Sequence, residues 1–134
     1  MAKKRSLRFH VSGPARRDIA SIVKRSLQEF GGAASLRYSA LIRQALFDIG
    51  ADPERPGSKE WPDIMIEGAR TYHLEFSRTK VSGSRVKQPR HFLLYRRRDD
   101  GVIEVARILH DGRDLQRHLP EDYRHGAVRP PSSS

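Results

Sequence analysis

A chain of 134 residues is the size of one domain, long enough to bury a modest core and too short for two independent ones. Its 26 Lys and Arg against 16 Asp and Glu leave a net charge of +10, which attracts polyanions or an acidic protein partner and by itself chooses neither. The absence of cysteine excludes a disulfide framework, a Cys-ligated zinc site and thiol catalysis, and no apolar run follows the charged MAKKRSLRF start, so the expectation is a cytoplasmic protein without a signal peptide or membrane span.

Leu7 to Ser12 alternates Leu7, Phe9 and Val11 with Arg8, His10 and Ser12, the period of a half-buried strand. Ser12 or Gly13 then caps a helix with Pro14 in its first turn, where a missing N–H costs least. That helix is expected to reach about Phe30 and to bury Ile19, Ile22, Val23, Leu27 and Phe30 on one face. Gly31 and Gly32 break the pattern. From Leu36 the positions Tyr38, Leu41, Ile42, Ala45, Leu46 and Ile49 repeat the rhythm of a second amphipathic helix, ended by Gly50, so the pair forms an αα-hairpin.

Asp52 to Pro62 carries three of the eight prolines and is expected to be irregular until the chain recovers near Ile64, with Trp61 capping the edge of the core. Thr71 to Ser77 reads as a second strand with Tyr72, Leu74 and Phe76 on one face, and His91 to Arg97 as a third. Asp99, Asp100 and Gly101 turn the chain into a fourth strand, Val102 to His110, antiparallel to the third. Leu115 and Leu119, four apart, suit a short helix or turn docked on the sheet edge. The expected whole is a single α+β domain, its core about residues 6–120, with 121–134 a flexible tail ending Pro-Pro-Ser-Ser-Ser.

This order resembles the RelE/ParE toxin layout, and the segment His91 to Pro120, HFLLYRRRDDGVIEVARILHDGRDLQRHLP, is the part most similar to the ParE branch. It has a strand ending in Tyr-Arg, an acidic-glycine turn, a strand closing on Arg-Ile-Leu-His, and then Asp111-Gly112-Arg113-Asp114. VSGPARRDIASIV and RTYHLEFSR add weaker agreement, and the resemblance spans about residues 6 to 120. The Arg78 to Arg90 connection is longer than in compact members of that family. The resemblance implies the toxin of a type II toxin-antitoxin system that inhibits DNA gyrase by protein contact and is neutralised by a ParD-like antitoxin, whose C-terminal segment lays a helix along the helical hairpin. The alternatives are a RelE-like mRNA endoribonuclease and a nucleic-acid-binding module without toxicity.

Ser77 to Arg98 is the densest positive segment, with eight basic residues and no acid: Arg78, Lys80, Arg85, Lys87, Arg90, Arg96, Arg97 and Arg98. Together with Arg107 and Arg113 these are the candidate partner-binding residues; the plainer account of the segment is a solvated strand edge kept from aggregating by charge. Arg107 interrupts an apolar strand and needs a partner, for which Glu75 is the structural candidate. The resemblance to the ribonuclease branch implies instead that Arg107 holds a scissile phosphate. In that case Tyr95, His110 and His118 would complete the catalytic set, with His73, His91 and Tyr123 as further candidates for acid-base work, although no spacing assembles them. Asp114 and His118 are too few for a metal site, Ser82-Gly83-Ser84 lacks the lysine and helix of a phosphate loop, and no cofactor is expected.

Overall fold

The computed structural model describes residues 9–81, 86–112 and 115–126. β1 (Phe9–Val11) leads through Ser12 into α1 (Gly13–Phe30), and the Ser12 hydroxyl accepts the Ala15 N–H as the helix cap. The same hydroxyl donates to the Ala106 carbonyl, so one residue both starts the helix and ties it to the sheet. Gly31, at φ +94°, is the single residue between α1 and α2 (Gly32–Ala51), a backbone conformation that side chains resist.

The expected burial of α1 holds only for its first half. Ile19, Ile22 and Val23 are half-buried, whereas Leu27 and Phe30 are exposed, as is Leu36 at the start of α2. The turn of the hairpin extends past the cover of the sheet. α2 carries the main core on Leu41, Ile42, Ala45, Leu46 and Ile49, which pack on Tyr72, Leu93, Tyr95, Ile103, Val105 and Ile108.

Among the described residues the sheet has five strands in the order β1-β5-β4-β3-β2, with β1 parallel to β5 and the other pairs antiparallel. Its third and fourth expected strands are present as β4 (His91–Arg97) and β5 (Ile103–His110), joined by the Asp-Asp-Gly turn. Two expectations need correction. The Asp52 to Pro62 stretch contains β2 (Ser58–Glu60), an edge strand formed by pairing with β3 and not by the strand propensity of Ser-Lys-Glu. β3 (Ala69–His73) ends earlier than expected, because the His73 imidazole accepts the Glu75 N–H and turns the chain into a 3-10 helix, Leu74–Lys80. Leu74 is therefore buried while Phe76 is half-exposed, and the two share no strand face with Tyr72.

Between β4 and β5 the register slips: Leu94 pairs with Arg107 but Tyr95 with Val105, leaving Ala106 as a bulge. The bulge resets the alternation, so Val105 and Ile108, three apart, both face the helices. Ala106 instead joins a second core on the opposite face, with Met65, Ala69, Leu94, Leu119 and Tyr123.

That second core is closed by the C-terminal segment. α3 (Leu115–His118) contributes Leu115, so it docks on a sheet face and not on the edge. The Ile66 N–H donates to the Tyr123 carbonyl and the His125 N–H to the Ile64 carbonyl, laying 119–125 alongside 61–66. Tyr123 is almost fully buried, so the packed domain reaches beyond the expected limit at residue 120. The expected tail from Val128 lies outside the described residues. Trp61 packs against this second core and donates its indole N–H to Thr71, as a cap would.

Candidate functional site

Much of the positive segment is neutralised within the chain. Lys80 pairs with Asp48 at 3.3 Å, Arg90 with Asp111 at 3.1 Å, and Arg98 with Asp100 at 2.7 Å. Arg96 bonds Glu104 at 3.1 Å and Asp122 at 2.9 Å while stacking over the Tyr123 ring. Arg78 donates to the Lys87 carbonyl. Lys87 and Arg97 are exposed and make no ion pair among the described residues. Arg85 and Arg113 lie outside those residues.

Arg107 has a different partner from the one expected. Its Nε and Nη2 reach the two oxygens of Asp18 on α1, at 2.7 and 3.0 Å, and Asp18 also accepts the Ile108 backbone N–H at 2.9 Å. Glu75 is exposed and plays no part. The Asp18 hydrogen bonds raise the Arg107 pKa. Asp18 thus does two things: it neutralises a guanidinium and occupies a backbone donor on the part of β5 that β1 leaves uncovered. Sequence reasoning missed Asp18, though it is the one acid in the first four turns of a basic helix.

Beside this pair an open groove of about 480 Å³ runs between the start of α1 and the C-terminal segment, lined among others by Pro14, Glu104, Arg107, Arg117, His118 and Tyr123. The residues required by the ribonuclease alternative do not converge here. Arg107 and His118 share the groove, but Tyr95 is buried in the helix-covered core, where its hydroxyl donates to the Pro53 carbonyl at 2.6 Å and burial pushes its pKa up to about 12. Tyr123 donates to Glu104 at 2.8 Å, and burial followed by that carboxylate raises its pKa as well.

His110 stands at the far end of β5, in a second cluster that the fold assembles from four elements. The Tyr38 hydroxyl of α2 lies 2.7 Å from His91 Nδ1 and accepts the Arg90 backbone N–H at 2.9 Å. His91 meets His110 edge to face, with ring centres 5.3 Å apart. His73, at the end of β3, lies 3.0 Å from Asp111, which also accepts from Arg90. Burial, then the neighbouring His110, lowers His91 to about 4 and keeps it neutral at pH 7; burial raises Tyr38 to about 12. Burial works against ionisation of Asp111, but the hydrogen bond from His73 and the charge of Arg90 outweigh it and hold the carboxyl below its usual range. The sequence points to the three histidines singly and places Tyr38 on the core stripe; nothing in it marks Tyr38 or Asp111 as their partners. Among the described residues no group of three or more His, Asp or Glu side chains is arranged so that it could hold a metal ion.

The basic α+β domain, with its strand, helical hairpin and antiparallel strands in that order, has the layout by which the sequence resembles the RelE/ParE toxins. The model of the family described as the ParE toxin of type II toxin-antitoxin system, parDE, matches residues 9–115. The chain belongs to the ParE toxin family, and membership implies a cognate antitoxin. No individually curated protein matches the chain. No helix among the described residues is long and apolar enough to cross a membrane.

Proposed function

We propose that this toxin inhibits DNA gyrase by protein contact, in the cytoplasm, and is neutralised by a ParD-like antitoxin. The observation that supports this is the dispersal of the groups that phosphodiester cleavage would need around one phosphate. Arg107 is committed to Asp18, Tyr95 is sealed in the core, and His110 lies at the end of β5 away from the groove that holds His118. What remains at the surface suits protein contact: the overhanging apolar residues Leu27, Phe30 and Leu36, and the unneutralised charges of Lys87 and Arg97.

The test is a supercoiling assay with purified gyrase run beside an RNA-integrity assay. Inhibited supercoiling with intact RNA is expected. Unchanged supercoiling with discrete cuts in mRNA would overturn the proposal in favour of the RelE-like endoribonuclease.

A further inference from the structure

Three donors converge on one carboxylate where α1 crosses β5. Arg107 Nε and Nη2 reach the two oxygens of Asp18 at 2.7 and 3.0 Å, and the oxygen held by Nε also accepts the Ile108 backbone N–H at 2.9 Å. A guanidinium edge with a neighbouring backbone N–H suits phosphate as readily as carboxylate. The Ile108 N–H is available because β1 pairs with β5 only as far as Val105. The cradle is therefore a general oxyanion site, and its occupant comes from the chain itself.

Docking of the helix brings that occupant into place. Ser12, the cap of α1, donates its N–H to the Val105 carbonyl at 3.0 Å and its hydroxyl to the Ala106 carbonyl at 2.9 Å, so α1 starts strapped to the stretch of β5 just before Ile108. The Asp18 and Arg107 side chains are 16% and 30% exposed, and solvent screens their attraction only in part. An outside anion must compete with a carboxylate already tethered at the donors. Beside the cradle, the groove is lined by Arg107, Arg117 and His118, together with Glu104 and Asp122, the two acids that Arg96 holds.

We propose that Asp18 is a specificity-determining residue: it fills the oxyanion cradle of Arg107 and Ile108 from within and so closes the groove to the phosphate groups of a nucleic acid. This rests on the protein-contact reading of the toxin and deepens it, naming one side chain that withholds a groove from RNA on a chain of net charge +10. Without that carboxylate the same three donors become an anion site.

The experiment follows the Arg107 Nε–H and Ile108 N–H signals of the 15N-labelled full chain during titration with inorganic phosphate and, separately, with a short single-stranded RNA, against sodium chloride at equal ionic strength. The wild type is expected to show no saturable shift at either signal. Asp18→Ala is expected to show saturable shifts at both with either probe, binding at least about ten-fold more tightly than the wild type, the worth of one charge-assisted hydrogen bond. Arg107→Ala added to Asp18→Ala is expected to abolish the shift at Ile108. Asp18→Asn keeps the size of the side chain and an acceptor for Ile108 without the charge; it is expected to gain binding in the same direction and serves where Asp18→Ala does not fold. Wild-type shifts equal to those of either variant, a folded variant with no gain, a gain that survives Arg107→Ala, or a gain with phosphate and none with RNA would each overturn the proposal. Gyrase inhibition by the wild type is measured beside these titrations: its absence, with the titrations as expected, would sink the gyrase target alone.

Discussion

Arg107 and Asp18 show what a single residue's requirement reveals. An arginine in an apolar strand must find a hydrogen-bonded counterion, and that much is legible from the sequence around it. The identity of the counterion is not, because Asp18 stands 89 positions away in the chain. Arg107→Ala is expected to cost about 2 kcal/mol in urea unfolding, and the double variant with Asp18→Ala to show a coupling of about 1 kcal/mol or more; additive losses would mean that the two side chains do not act together. His91 gives a prediction in pH. Its folded pKa, about 4, lies below the ordinary value of about 6.5 that the unfolded chain adopts. The unfolded state therefore binds the proton first, and the contribution of His91 is fully present above pH 6.5 and is lost as pH falls toward 4. His91→Asn keeps an acceptor for Tyr38 without titrating in this range. The stability difference between it and the wild type is expected to change across that window and to be flat above it.

At the scale of elements, strongly periodic segments were legible and marginal ones were not. The two helices and the β4–β5 hairpin follow from spacing, capping and turn residues that act over a few positions. β2 was invisible because its three polar residues have no strand signal of their own and are held by β3 alone. The end of β3 was misplaced because an imidazole caps the turn that follows, an interaction that apolar alternation does not encode. Gly57, ahead of β2, is where this region is tightest: its φ is +101°, and a Cβ there would lie 2.6 Å from the Phe76 ring. Gly57→Ala is expected to lose about 2 kcal/mol from the two effects together, measured by denaturant unfolding. A loss within error of zero would show that Phe76, half-exposed, moves aside freely.

For the whole molecule, the second core alters the domain boundary. Tyr123 is buried against the face of the sheet opposite the helices, and its hydroxyl is held by Glu104. Tyr123→Ala is expected to destabilise the protein by about 3–5 kcal/mol, as for other large buried aromatics, with a lower Tm as the readout. A chain ending at Pro120 is expected to lose at least as much; unaltered melting in either variant would restore the view that nothing beyond 120 matters to the fold.

The sequence by itself determined the α+β class, the helical hairpin, the closing β-hairpin and the toxin family, because each depends on local periodicity or on contiguous residues such as those from His91 to Pro120. The tertiary structure alone decided which charges are paired and which distant side chains lie together. Lys80, Arg90, Arg96 and Arg98 read as a positive surface until each met a carboxylate brought to it by folding. The histidines likewise became neighbours only when β3, β4, β5 and α2 brought them together. Electrostatics and hydrogen bonding act through space, and proximity in space between distant positions is the quantity that a linear pattern does not carry.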